Sequence, residues 1–176
     1  MDDWVLVAHS DAAVKSMPDK ITSVGGHVVL MCNRKSSQAC ILQWKSKTLR
    51  RKIMSSLAGE TLAMISTVGE IVYTLSILEL IFGERVRAVP RVVVIDAKDL
   101  EEAVLSSGLV SDSWLIPDIA VLKEAFEERT FTHLRRVNSA EMLAYCLMKK
   151  GASGEALMNV MRTGTYSLPG GWPLGK

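Results

Sequence analysis

The stretch from Ser55 to Phe82 is a long apolar segment with an acid on the wrong face, and that limits what the chain can become. Leu57, Met64, Val68, Ile71, Leu75, Leu78 and Phe82 follow the three-and-four spacing of a helix with one buried side. Glu60 fills the place between Leu57 and Met64, so its carboxylate lies on the apolar face near the helix start. Left unpaired, such a charge costs several kcal/mol or is driven neutral. A cation, a set of donors or a metal ion must meet it. Arg91 is one conceivable partner. Asp11 and Asp96 close strand-like runs of the same apolar character, and the three acids together point to a shared divalent metal ion.

At 176 residues the chain is long enough for one domain with a real core. Apolar residues make up 48% and charged ones 23%, which is ordinary for a soluble fold. A net charge of +2 is too small to argue for nucleic acid by itself, so local clustering matters more. Lys45, Lys47, Arg50, Arg51 and Lys52 form the densest basic cluster and lead into the Glu60 helix, where phosphate contacts would be useful. Cys32, Cys40 and Cys146 suit neither a zinc site nor a disulfide framework and fit a reducing, intracellular setting, cytoplasmic or nuclear. The start lacks the order of a signal peptide, and Glu60, Glu70 and Glu79 make the long helix read as buried in protein, with no membrane partner.

In order, Trp4 to Ala8 predicts a strand that ends at Asp11, and Lys15 to Ser23 a turn around Pro18-Asp19. By the period of two, Val5, Val7, His9 and Asp11 share a face. Val24 to Asn33 and Ala39 to Trp44 predict an antiparallel hairpin. Arg91 to Ile95 predicts a buried strand, Ala97 to Ser106 and Trp114 to Arg129 helices, and Phe131 to Val137 a last strand. Ala140 to Lys150 and Gly154 to Arg162 read as two further helices. A domain over residues 1–164 is expected, with an irregular tail over 165–176 whose Tyr166 and Trp172 dock on the domain or on a partner. Hairpin-linked strands followed by alternating helices and strands make a mixed α/β sheet with helices on its faces.

Several of these pieces occur in one recognisable order: Ser10-Asp11-Ala12-Ala13 after a strand, Gln43 to Lys47, Ser56-Leu57-Ala58-Gly59-Glu60-Thr61-Leu62-Ala63 opening a helix, Ile95-Asp96, and the run Asn138 to Ser153. Together they resemble the ribonuclease H domain of copia-type LTR-retrotransposon polyproteins. The resemblance implies a ribonuclease H-like five-stranded mixed sheet with helices on both faces. It implies hydrolysis of RNA in an RNA–DNA hybrid with two Mg2+ or Mn2+ ions held by Asp11, Glu60 and Asp96, beside reverse transcriptase or other protein subunits. It also exposes departures. Tyr145 stands at the family's fourth acidic position, Ala97 replaces an Asn, and the segment Ser111 to Leu115 lacks the family's basic and histidine character. Two readings follow: a metal-dependent ribonuclease H, intact or weakened, and a catalytically inactive domain that binds RNA or protein in a larger assembly.

Overall fold

The computed structural model describes residues 3–15, 22–108, 110, 112–149 and 151–172. Pro18 and Asp19 of the expected turn, with Ser111, Lys150 and residues 173–176, lie outside them.

Five strands form one sheet: β1 (Trp4–Ala13), β2 (Ser23–Asn33), β3 (Ala39–Leu49), β4 (Arg91–Ile95) and β5 (His133–Arg136), in the order β3-β2-β1-β4-β5. β1 pairs antiparallel with β2 and parallel with β4, and β5 continues the parallel half. The helices are α1 (Ser56–Phe82), α2 (Lys98–Leu105), α3 (Ile116–Glu127) and α4 (Glu155–Thr163). The sheet is the expected mixed one, and it is centred on β1, whose residues from Val5 to Ala13 are all buried.

Alternation along β1 supplies two cores. Leu6, Ala8 and Ala12 face α1, α2 and α3 with Val29, Val93, Ile95 and Phe131. Val5 and Val7 face the other way, against Val28, Leu30, Leu143, Leu157 and Leu168. The face of α1 that meets the sheet is built from small residues as well as large ones. Ala58, Gly59, Ala63, Thr67 and Thr74 are buried beside Met64, Val68, Ile71 and Leu78. Thr67 hides its hydroxyl by donating to the Ala63 carbonyl at 2.9 Å.

Four expectations change. β1 does not end at Asp11 but runs two residues further, to Ala13, because antiparallel pairing with β2 continues through Ala12 and Ala13. β3 runs on to Leu49 for the same reason, so Lys45 and Lys47 are strand residues. The expected helix from Ala140 to Lys150 does not form. Two 3-10 turns, Ser139–Glu141 and Tyr145–Leu147, take its place. Met142, Leu143 and Ala144 are buried one after another, a consecutive burial that no one-faced helix provides. Finally, α1 is buried in protein only in part. Val72, Tyr73, Ile77, Leu80, Ile81 and Phe82 are exposed along its second half, and by length and hydropathy alone it would be long enough to cross a bilayer.

The tail docks on the domain. Tyr166 is buried, its hydroxyl accepts from His9 Nε2 at 2.9 Å, and its ring meets the imidazole edge-on. His9 Nδ1 accepts from the Leu143 N–H at 3.3 Å, which leaves the proton on Nε2 to donate. Full burial holds His9 neutral, far below the usual imidazole range. Arg135 donates to the Gly170 carbonyl at 2.9 Å and ties the tail to β5. Tyr166→Phe should therefore cost about 1 kcal/mol of folding stability, and Tyr166→Ala about 3–5 kcal/mol. Denaturant midpoints at unchanged slope measure both.

Candidate metal centre

The cleft lies at the end of the sheet where β4 stops and β1 continues. The parallel register pairs His9 with Val94, and two more residues along each strand bring Asp11 alongside Asp96. The third acid comes from the first turns of α1. That helix can approach the end of β1 because residue 59 is glycine. A Cβ there would meet Val14 Cγ2 at 2.7 Å, well inside contact distance. Ser55 caps the helix by accepting from the Ala58 N–H at 3.2 Å.

Asp11, Glu60 and Asp96 each offer a carboxylate oxygen, and these oxygens all lie within 4.8 Å of one another. Asp11 is 2% exposed and Glu60 6%. Asp11 Oδ1 accepts from the Ala12 N–H at 2.7 Å, but Asp11 Oδ2 and Glu60 Oε2 are buried without a hydrogen-bond partner. Asp96 is half-buried and accepts from Ser139 Oγ at 2.6 Å. It does not cap α2, whose N-cap is Ala97 with no side-chain bond.

Burial raises the Glu60 carboxyl far above the ordinary range, and repulsion from Asp11 and Asp96 raises it further. Burial and then Asp96 raise Asp11 in the same way. Lys149, the Ala12 N–H and, for Asp11, a hydrogen bond shared with the Glu60 carboxyl pull in the opposite direction. Among the described residues no arginine or lysine ion-pairs with these acids. Arg91, the conceivable partner of Glu60, donates instead to the carbonyls of Arg87, Val89 and Arg129. Hard anionic oxygens, close together and short of donors, fit a divalent cation such as Mg2+ or Mn2+.

Lys45 and Lys47 of the basic cluster lie on the α1 side of the sheet, the side from which Glu60 comes. The register runs from Ala12 on β1 through Gly25 on β2 to Lys47 on β3, a span of about 10 Å at ordinary strand spacing. Lys45 pairs with Glu70 at 3.1 Å and Arg51 with Asp118 at 2.7 Å. Among the described residues Lys47, Arg50 and Lys52 are exposed and make no ion pair. Lys47 and Arg50 line a groove between β3 and α1 with Leu62 and Ile65.

Tyr145 is not among the residues that line the acid cleft. Ala97, Ser56 and Lys149 are. Sequence reasoning overlooked Lys149 and Ser139. Lys149 sits in the segment read as a helix and Ser139 immediately before it, and the 3-10 turns that replace the helix carry the chain past the acids.

No protein-family model matches the chain, and no curated protein matches its sequence. Solved structures do match. LC11-RNase H1, isolated from compost by a metagenomic approach, superposes with a TM-score of 0.56 at 15% identity, over 89% of this chain and 98% of that one. The N-terminal RNase H domain of rv2228c from Mycobacterium tuberculosis gives 0.54 at 16% identity, over 90% and 96%. LC11-RNase H1 in complex with an RNA/DNA hybrid gives 0.56 at 14% identity, over 89% and 99%. At such identities the likeness establishes the fold, which is that of ribonuclease H.

The electrostatics have a measurable consequence. A carboxyl that protonates more easily folded than unfolded binds its proton preferentially in the native state. Stability therefore falls as pH rises from the ordinary carboxylate range to the raised one. Without divalent metal, the melting temperature should climb between about pH 8 and about pH 5. At the higher pH, Asp11→Asn or Glu60→Gln should stabilise the protein by on the order of 1–2 kcal/mol. A thermal melt in chelator reads both, and a flat profile would contradict them.

Proposed function

We propose that this chain is a divalent-metal-dependent ribonuclease H that cuts RNA within an RNA–DNA hybrid, and that it derives from a copia-type retroelement. The observation that carries the reading is the pair of buried carboxylate oxygens, on Asp11 and Glu60, with no donor of their own and Asp96 within reach. Two desolvated carboxyls at this spacing can both be charged only with a cation between them, and otherwise one holds a proton. The fold and the ordered motifs around all three acids support the same reading, and the motifs support the retroelement origin.

Asp11, Glu60 and Asp96 would hold Mg2+ or Mn2+, which when bound supplies Lewis-acid stabilisation of the charge that develops on a phosphodiester. The chain's own groups do the rest. The Ala12 N–H fixes Asp11, and Ser139 Oγ fixes Asp96, so two of the acids are oriented before any ligand arrives. Lys47, Arg50 and Lys52 offer unpaired charge to a nucleic-acid backbone crossing from the cleft toward β3. Such contacts position a duplex without reading its sequence. The setting is intracellular, in company with reverse transcriptase or other subunits.

Tyr145 favours a second reading, an inactive domain that binds RNA or protein. A phenol at the fourth acidic position is a poor ligand for a hard cation.

Cleavage of a labelled RNA–DNA hybrid decides. Cutting is expected in Mg2+ or Mn2+, with a loss of at least about 10²-fold in Asp11→Asn or Glu60→Gln. Absence of cutting by the folded protein at high Mn2+ would leave the inactive domain. Replacing Lys47, Arg50 and Lys52 together by Ala should weaken hybrid binding roughly equally across sequences and flatten its salt dependence by about two to three counterions.

A further inference from the structure

Lys149 is the one cationic side chain among the described residues that line the acid cleft, and it sits there on a clamped backbone. Its neighbour Met148 is buried against β2. A Cβ at Gly26 would meet Met148 Cγ at 3.0 Å and Sδ at 3.2 Å, so the methionine lies directly on the glycine backbone. Gly26 in turn is the register partner of Asp11. Upstream, the Leu143 N–H is bound to His9, two residues before Asp11 on the same strand. The segment that carries Lys149 is thus held at both ends by β1 and its immediate neighbour.

Its ammonium is held as well, with Lys149 Nζ 4.2 Å from the centroid of the Tyr145 ring. The residue at the position where the resemblance implies a fourth acid is therefore a platform for a positive charge. Charge counting follows. Three carboxylates and one ammonium leave two net negative charges at the cleft, which one divalent ion neutralises.

We propose that the Lys149 ammonium, at the mouth of the cleft, offsets one of the three carboxylate charges that a second cation would otherwise offset, so that Asp11, Glu60 and Asp96 bind a single divalent ion. The proposal rests on the metal-dependent reading of the acid cluster. It gives Tyr145 a positioning role: the ring steadies the ammonium at the mouth of the cleft, where it can also face the phosphate of a bound strand.

Counting bound Mn2+ on the full chain tests this, by calorimetry and by electron paramagnetic resonance of free Mn2+. The wild-type protein should take up one ion. Lys149→Ala removes a like charge from beside that ion and should tighten its binding by roughly tenfold or more. Lys149→Arg should behave as wild type. If Lys149→Ala does not fold, Lys149→Met, which keeps the stem over Tyr145, carries the same expectation. Two ions on the wild-type protein, or an affinity that Lys149→Ala leaves unchanged or weakens, would overturn this role for Lys149 while leaving the metal reading intact. Uptake that survives Asp11→Asn and Glu60→Gln, or no uptake by any of these proteins, would overturn the metal reading and this proposal with it.

Discussion

The carboxylates of Asp11, Glu60 and Asp96 repel one another at the end of the sheet, and two of them have almost no water to screen them. Much of the surrounding structure exists to hold them there. β1 reaches beyond β4 so that Asp11 projects past the end of its parallel neighbour. Gly59 lets α1 press against the same strand end, which brings Glu60 in from the side. Ser139, in the turn that follows β5, restrains Asp96. Each of these positions charge against its own preference for solvent, and the rest of the fold must be stable enough to tolerate it.

That stability comes from the two layers on either side of β1. One is dominated by α1 and the helices beside it, with small residues at the contact so that backbone and sheet come close. The other is unusual in its irregularity. It is closed by 3-10 turns, by the short α4 and by a tail with little regular structure, gathered around His9 and Tyr166. A neutral histidine that accepts from one segment and donates to another joins both to the strand that carries Asp11. The distance between structural and chemical roles on β1 is two residues.

Much of this was legible in the chain. Period-two and period-three-to-four patterns located all five strands and most of α1. An acid inside an apolar pattern is a strong signal because it is costly, and three such acids identified the cleft. The end of β1 was misjudged because His9, Ser10 and Asp11 look like the close of a strand, whereas pairing with Gly25 and Gly26 carries it on. The segment from Ala140 to Lys150 has the composition of a helix and does not form one. Met142 packs on His9 of β1 and Met148 on Gly26 of β2. Burial of both outweighs helical propensity, which is worth only tenths of a kcal/mol per residue.

By itself the amino-acid order determined the sheet's hydrophobic alternation, the long helix with its misplaced glutamate, and the identity of the three acids, since each is a local property of spacing and polarity. Tertiary structure alone decided that Lys149 and Ser139 join those acids, that Tyr145 does not, and that the tail seals the second core. Those outcomes depend on which segments meet across the sheet, and that is settled by the summed packing and desolvation of groups far apart in the chain rather than by any local pattern.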